Sequence, residues 1–207
     1  MKLVKSTILI FALAAITLMP ETLMAIEEAE YTVVSKDGDI EIRDYSASIV
    51  AETIIDKDFE AAGNKGFRPL FKYISGDNTR QDKIAMTSPV AQEKRSQKIA
   101  MTSPVGQRAE GEGWVVSFMM PASYTMETIP QPTNPAVSIR EIPAYRAAAI
   151  QYSGRWSEKN YQEHLAKLQA WISDNELEAI GEPAWARYDP PFKPWFMRRN
   201  EVLIPIR

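Results

Sequence analysis

Alternating apolar and polar residues predict strands in two separate parts of the chain. In the first part Ile40 and Ile42 alternate with polar residues, and a second apolar segment follows over 49–54. In the second part Val137 and Ile139 alternate in the same way, and a second segment follows over 146–152. A repeat of two is typical of half-buried strands, so each part is predicted to begin with two strands joined by a turn.

After each pair of strands, the apolar spacing changes to that of a helix. The second helix is predicted from four residues that share one face: Tyr161, Leu165, Leu168 and Ile172. Ser157 is placed to cap its first turn, and Asp174 and Asn175 end it. The first helix has the same spacing at Phe59, Gly63, Phe67, Leu70 and Ile74. It also contains Gly66 and Pro69, which weaken helices, so we expect tertiary contacts to hold it or a bend near Pro69.

The two parts of the chain resemble each other, because residues 40–78 can be laid on residues 137–175. Further strands are predicted over 84–90, 99–105 and 114–120 after the first helix, and over 184–188 and 201–206 after the second. The sequence therefore predicts an α+β domain with an antiparallel sheet and two helices, built from two strand-strand-helix-strand halves, about 31–120 and 121–207.

The phrase KIAMTSPV occurs twice, at 83–90 and at 98–105, with a polar segment between. Within it isoleucine and methionine alternate with alanine and threonine, and a proline near its end removes a ladder donor. We expect a hairpin whose two arms turn isoleucine and methionine toward one core.

Residues 1–25 have the pattern of an export signal. Lys2 and Lys5 precede a short apolar run over 8–19, and Ala25 offers a small residue for cleavage before Ile26. The run is shorter than the roughly 20 residues that a membrane-spanning helix needs. We therefore expect a periplasmic or secreted protein with one domain, 26–207, and no membrane span after cleavage.

Composition narrows the classes of function. The formal net charge of −3 argues against a nucleic-acid partner. The chain has no cysteine, so it has no disulfide and no thiol nucleophile, and its single histidine leaves no metal-ligand cluster or catalytic triad motif. A non-catalytic, monomeric binding protein is the expectation that remains.

Several segments together resemble the SOUL haem-binding family. They are IEIRDY, the paired KIAMTSPV, VSFMMPASYTMETIPQP, SGRWSEKNYQEH and RYDPPFKPWFMRRNEVLIPI, which span almost all of 31–207. The resemblance implies a distorted antiparallel barrel with two helices and two pseudo-symmetric halves, as in bacterial effector-binding domains. It also implies that this bacterial, exported member binds haem or a related tetrapyrrole non-covalently.

The resemblance also implies where a tetrapyrrole would lie. In one branch of the family a histidine before the tyrosine of the first strand is the proposed iron ligand, and here that position is Asp44. In the other branch the ring lies on an apolar surface beside the first helix and the YDPP loop. Matching that surface selects Asn64, Phe67, Phe71 and Lys72 on the helix and Lys193 on the loop, with neighbouring Arg68 as a further cation for propionates.

Other assignments stay open from the sequence. The metal ligand is unknown: His164, Met86 and Met101 carry groups that bind haem iron, but each also fits a structural role. The ligand could instead be another flat or amphiphilic molecule. A hydrolase that uses Glu141 or Glu201 is a third reading.

Overall fold

The structure is a computed structural model that describes residues 26–80 and 96–207. Its elements in chain order are β1 (Glu27–Glu28), β2 (Tyr31–Asp37), β3 (Ile40–Tyr45), β4 (Ser48–Ile55), α1 (Phe59–Ser75), β5 (Asn78–Thr79), β6 (Thr102–Ser103), β7 (Val105–Glu110), β8 (Gly113–Met119), β9 (Gln131–Pro132), β10 (Ser138–Ile142), β11 (Tyr145–Tyr152), α2 (Glu158–Asp174), β12 (Ala184–Arg187) and β13 (Asn200–Pro205). A 3-10 helix, Trp195–Met197, precedes β13. Neither helix of the described part of the chain has the length and apolarity to cross a membrane.

Nine strands form one open sheet in the order β10-β4-β8-β7-β12-β13-β11-β3-β2. All neighbouring strands in it are antiparallel. The first strand of each half pairs with the second strand of the other half, β3 with β11 and β10 with β4. The predicted α+β fold with two helices and a distorted antiparallel sheet is confirmed, and the sheet stays open because β10 and β2 remain as edges.

Both helices pack on the same face of this sheet, and their N-terminal ends meet. Phe59 of α1 stacks on Tyr161 of α2 with ring centroids 5.2 Å apart, and Glu60 accepts a hydrogen bond from the backbone N–H of Glu158. The predicted cap is confirmed, because the Ser157 hydroxyl accepts from the Asn160 N–H at 3.3 Å. Helix α1 continues through Pro69 without a break.

Tertiary contacts stabilise α1, as expected for a helix that contains two glycines and a proline. Seven residues of the helix are buried: Phe59, Ala62, Gly63, Gly66, Leu70, Tyr73 and Ile74. They pack against β4 and β8, whose core residues include Ala51, Val116 and Phe118. Phe67, predicted as a core residue, lies at the border of this face and is only half-buried.

The second KIAMTSPV phrase does not form the predicted continuous arm. Residues 98–101 have no regular strand, Ile99 is buried, and Met101 is 40% exposed. Thr102 and Ser103 are buried instead, where they pair with β1, and the Thr102 hydroxyl donates to the carbonyl of Met119. The expectation that isoleucine and methionine share one core is therefore wrong for this phrase, because alternation holds only along a strand. The first phrase, with Met86, and the signal segment 1–25 lie outside the described residues.

Glycines let α1 lie unusually close to the sheet. A Cβ atom at Gly66 would lie 2.6 Å from the Cβ of Val116, and one at Gly63 would lie 2.7 Å from Nη2 of Arg187. Both distances are shorter than non-bonded atoms can approach, and at Gly66 only glycine permits the observed helix-to-sheet spacing, because the Val116 Cβ is fixed to its strand. Gly66 faces the rigid β8 strand, whereas Gly63 faces the end of a side chain on β12.

On the other face of the sheet, a buried carboxylate joins β3, β13 and the segment after β12. Glu201 is fully buried and accepts a bidentate pair of hydrogen bonds from Arg43 at 2.8 and 3.1 Å. It also accepts from Arg199 at 2.9 and 3.1 Å and from the Tyr188 hydroxyl at 2.7 Å. These five bonds leave Glu201 fully compensated, as a buried charge must be.

We predict that Gly66→Ala lowers the free energy of unfolding by about 1–2 kcal/mol, because the overpacking against Val116 exceeds the roughly 1 kcal/mol that alanine adds to a helix. Urea denaturation measures the change. Lys65→Ala, on the exposed side of the same turn, is the control and should alter stability by less than about 0.5 kcal/mol. A Gly66→Ala protein as stable as the original chain would contradict the close spacing.

We predict that Arg43→Met lowers the free energy of unfolding by about 3 kcal/mol, because it removes one cation from a buried carboxylate. The matched control is Arg146→Met, which breaks a bidentate pair with Asp44 of similar geometry on the surface and should lower stability far less, because water screens that pair. Equal losses in urea denaturation would mean that burial of the Glu201 pair is energetically unimportant.

Candidate functional site

Five of the six residues predicted to bind a tetrapyrrole lie on one face of α1. Asn64, Phe67, Arg68, Phe71 and Lys72 follow the three- and four-residue spacing that places side chains in a single stripe. All except Phe67 are exposed. The stripe, hereafter the α1 stripe, borders the face by which the helix packs on the sheet.

The α1 stripe carries an apolar surface that continues into the core. Phe67 and Phe71 stack with centroids 5.7 Å apart and planes 14° apart, and Phe67 meets the buried Phe118 edge to face at 5.1 Å. Phe71 leaves 47% of its surface exposed. A stacked, partly exposed pair of rings beside the cations of Arg68 and Lys72 suits a flat, apolar and anionic molecule.

Lys193 is held within its own loop. Its Nζ forms an ion pair with Oδ1 of Asp189 at 2.6 Å, and the other Asp189 oxygen accepts from the Arg199 N–H at 2.6 Å. Arg198 donates to the carbonyls of Lys193 and Pro191 at 2.8 and 2.5 Å. Among the described residues, no hydrogen bond, ion pair or ring contact joins Lys193 to α1. The structure therefore brings together the helical residues but does not bring Lys193 into contact with them.

Arg187, at the end of β12, lies between α1 and this loop. Its guanidinium carbon is 5.3 Å from the ring centre of Trp156 and 4.9 Å from that of Trp185, while Arg198 of the loop lies over Trp156 at 4.3 Å. On the other side its Nη2 abuts Gly63 of α1. Arg187 is only 9% exposed, and burial lowers its pKa to about 10.

Arg187 has no anionic partner in the described part of the chain. Its Nε and Nη2 atoms make no hydrogen bond, and the same is true of Oε1 of Gln107, which also abuts Gly63. The sequence interpretation missed this residue, although a signal existed: Trp185 and Arg187 are two apart on one strand, so an inward tryptophan implies an inward arginine.

The candidate iron ligands have other roles. His164 stacks on Tyr152 at 3.8 Å, and its Nδ1 donates to the carbonyl of Asn160 at 2.7 Å. Asp44, at the position where the family motif has histidine, is paired with Arg146 through both oxygens. No cluster of three or more potential metal ligands occurs in residues 26–80 and 96–207.

The face of the sheet away from the helices carries a cavity of about 420 Å³. Its wall includes the rings of Tyr45, Tyr145 and Tyr188, and Tyr45 stacks on Tyr145 at 5.1 Å. Burial is the main cause that raises the pKa of Tyr188 well above its ordinary value, followed by the neighbouring Glu201 charge. Glu201 lies behind this wall with its oxygens engaged, which leaves none of them directed at a substrate. None of the six predicted site residues lines the cavity.

Comparison with known proteins gives matches over most of the chain. The model of the family described as SOUL heme-binding protein matches residues 26–205. Heme-binding protein 1 of Xenopus laevis is 29% identical over 182 residues, covering 86% of this chain and 90% of the relative. Heme-binding protein 1 of Mus musculus is 26% identical over 152 residues, covering 73% and 75% respectively.

Two solved structures share the fold at low sequence identity. The EcmrR C-terminal domain superposes with a TM-score of 0.57 at 12% identity, covering 86% of this chain and 98% of that domain. A hydrolase from Listeria innocua superposes with a TM-score of 0.54 at 11% identity, covering 84% and 94%. These likenesses concern the fold alone. The family match over nearly all of the described domain is decisive, and the chain belongs to the SOUL heme-binding protein family.

Proposed function

We propose that this protein binds haem or a related tetrapyrrole non-covalently on the α1 stripe and catalyses no reaction. The observation that carries the proposal is the stacked and partly exposed Phe67–Phe71 pair, flanked by Arg68 and Lys72. Membership of the family and the names of the Xenopus and mouse relatives support haem as the ligand. The side chains present fit a planar ring that has apolar faces and two carboxylates.

The free energy of apolar burial is too small to give tight binding without the cations. Burying about 400 Å² of a porphyrin at roughly 25 cal/mol per Å² yields on the order of 10 kcal/mol, and association costs about 4–15 kcal/mol. Apolar contact alone therefore gives modest affinity. Charge-assisted hydrogen bonds from Lys72 and Arg68 to propionates would add to it, and Lys193 would have to exchange its Asp189 partner to contribute.

The chain's own residues position the ring, and the iron chemistry would come from the haem itself. The α1 stripe contains no imidazole, thiolate or thioether, and His164 is engaged with Asn160. The proposal therefore assigns affinity to the aromatic pair and the cations, with no protein ligand to iron from this helix.

A second candidate function rests on the cavity of about 420 Å³ on the opposite face. Its tyrosines and apolar lining suit another flat or amphiphilic molecule. The saturated Glu201 weighs against a hydrolase that uses this residue, since a general base needs a free acceptor near the substrate, whereas Glu141 is exposed on β10.

Titration of the purified chain with haemin tests the first proposal. We expect a shifted Soret band that saturates at one haemin per chain. Phe71→Ser and Lys72→Glu should each weaken binding by about tenfold or more, through lost ring contact and reversed charge. Ser48→Phe, which narrows the cavity on the opposite face, is the control and should leave the affinity within about twofold. The reverse pattern, with only Ser48→Phe harmful, would favour the cavity.

We further propose that residues 1–25 direct export of a bacterial protein and are removed, leaving a monomeric domain from Ile26 to Arg207 in the periplasm or outside the cell. The charged start, short apolar run and small residue at Ala25 support this. Fractionation followed by N-terminal sequencing should find a chain that starts at Ile26. Uncleaved full-length protein confined to the cytoplasm would refute export.

A further inference from the structure

The described part of the chain contains one buried guanidinium that lacks an anion, and it lies beneath α1, the helix that carries the proposed site. Arg187 is nine-tenths buried, yet its Nε and Nη2 atoms have no acceptor. The buried Arg43, by contrast, has a carboxylate in bidentate contact. The same protein thus compensates one buried arginine fully and leaves the other without a charge partner.

An unpaired buried charge lowers stability, because the guanidinium loses its hydration and gains only the ring faces of Trp156 and Trp185. An apolar side chain would fill the space between those rings without that cost. The fold therefore has no need for a charge at this position. The presence of an arginine here is explained if a ligand supplies the missing anion.

The position of Arg187 points to the same ligand as the α1 stripe. Nη2 abuts Gly63, which precedes Phe67 by one helical turn, and Trp156 also carries Arg198 of the 188–199 loop. The guanidinium thus lies where α1 meets that loop. Nε and Nη2 are themselves fully buried, so a carboxylate would approach the guanidinium at Nη1 or displace the side chains that cover the other two donors.

We propose that Arg187 is the counter-ion for a carboxylate of the bound ligand, which for a tetrapyrrole is a propionate. This inference rests on the proposed function and adds a residue to it. The planar fork of an arginine matches the two oxygens of a carboxylate, and low local polarity strengthens the bond. The ligand class is a flat apolar molecule with at least one free carboxylate.

The test compares haemin with haemin dimethyl ester, which has the same ring but no propionate charge. The original chain should bind the free acid about tenfold or more tightly than the ester, because charge-assisted hydrogen bonds are lost in the ester. Arg187→Met should lose most of this preference with unchanged ester affinity and keep only the share that Lys72 and Arg68 supply, and Arg187→Lys should fall between the methionine variant and the original chain. Arg140→Met, which removes an arginine already paired with Glu52 at the wall of the opposite cavity, is the control and should keep the full preference.

Stability of the unliganded protein supplies a second measurement. Arg187→Met should unfold at the same or higher urea concentration than the original chain, because it removes an uncompensated buried charge, and haemin should stabilise it less. A clear loss of unliganded stability would mean that Arg187 has a structural partner, such as a water shared with Gln107, and would overturn the inference.

The outcomes separate the two proposals. If haemin binds but Arg187→Met retains the full preference for the free acid, the counter-ion assignment fails and tetrapyrrole binding stands. If only Arg140→Met loses the preference, the carboxylate lies in the cavity and the assignment also fails. If the original chain binds neither haemin nor its ester, both proposals fail together.

Discussion

The close approach of α1 to the sheet is the constraint on which the rest of this structure depends. Gly63 and Gly66 remove the side chains that would hold the helix away from Arg187 and Val116. The helix then buries Leu70 against the sheet and turns Phe71 outward. The helix thus carries an apolar surface on its outer side and covers Arg187 on its inner side.

Among the described residues, the buried charge on one face of the sheet is fully paired and the buried charge on the other face is not. Glu201, beside the cavity, is surrounded by two arginines and a tyrosine and has no acceptor to spare. Arg187, on the helix face, has unpaired donors and no carboxylate partner among residues 26–80 and 96–207. A saturated network stabilises a fold, whereas an unsaturated one lowers stability and gains from a ligand. This contrast, and not the volume of the cavity, is the reason to assign the ligand to the helix face.

The fold by itself does not choose between these faces. The EcmrR C-terminal domain and a hydrolase from Listeria innocua superpose on this chain at 11–12% identity. Similar sheets with two helices therefore occur in proteins described quite differently, and the ligand must be argued from side chains. In this chain the groups that suit a tetrapyrrole are the stacked rings and two cations on α1 and, beneath that helix on β12, the guanidinium of Arg187.

The sequence by itself determined the features that depend on local periodicity. The apolar pattern located seven of the nine strands of the sheet but missed β2 and β7. The helical period located both helices and the Ser157 cap, and helical spacing placed Asn64, Phe67, Arg68, Phe71 and Lys72 in one stripe. Tertiary structure alone decided the open sheet, the exposure of Met101, the pairing of Lys193 with Asp189 and the isolation of Arg187. Those features depend on which distant segments of the chain come into contact and on whether a buried charge is paired. Local patterns of residues contain information about neither.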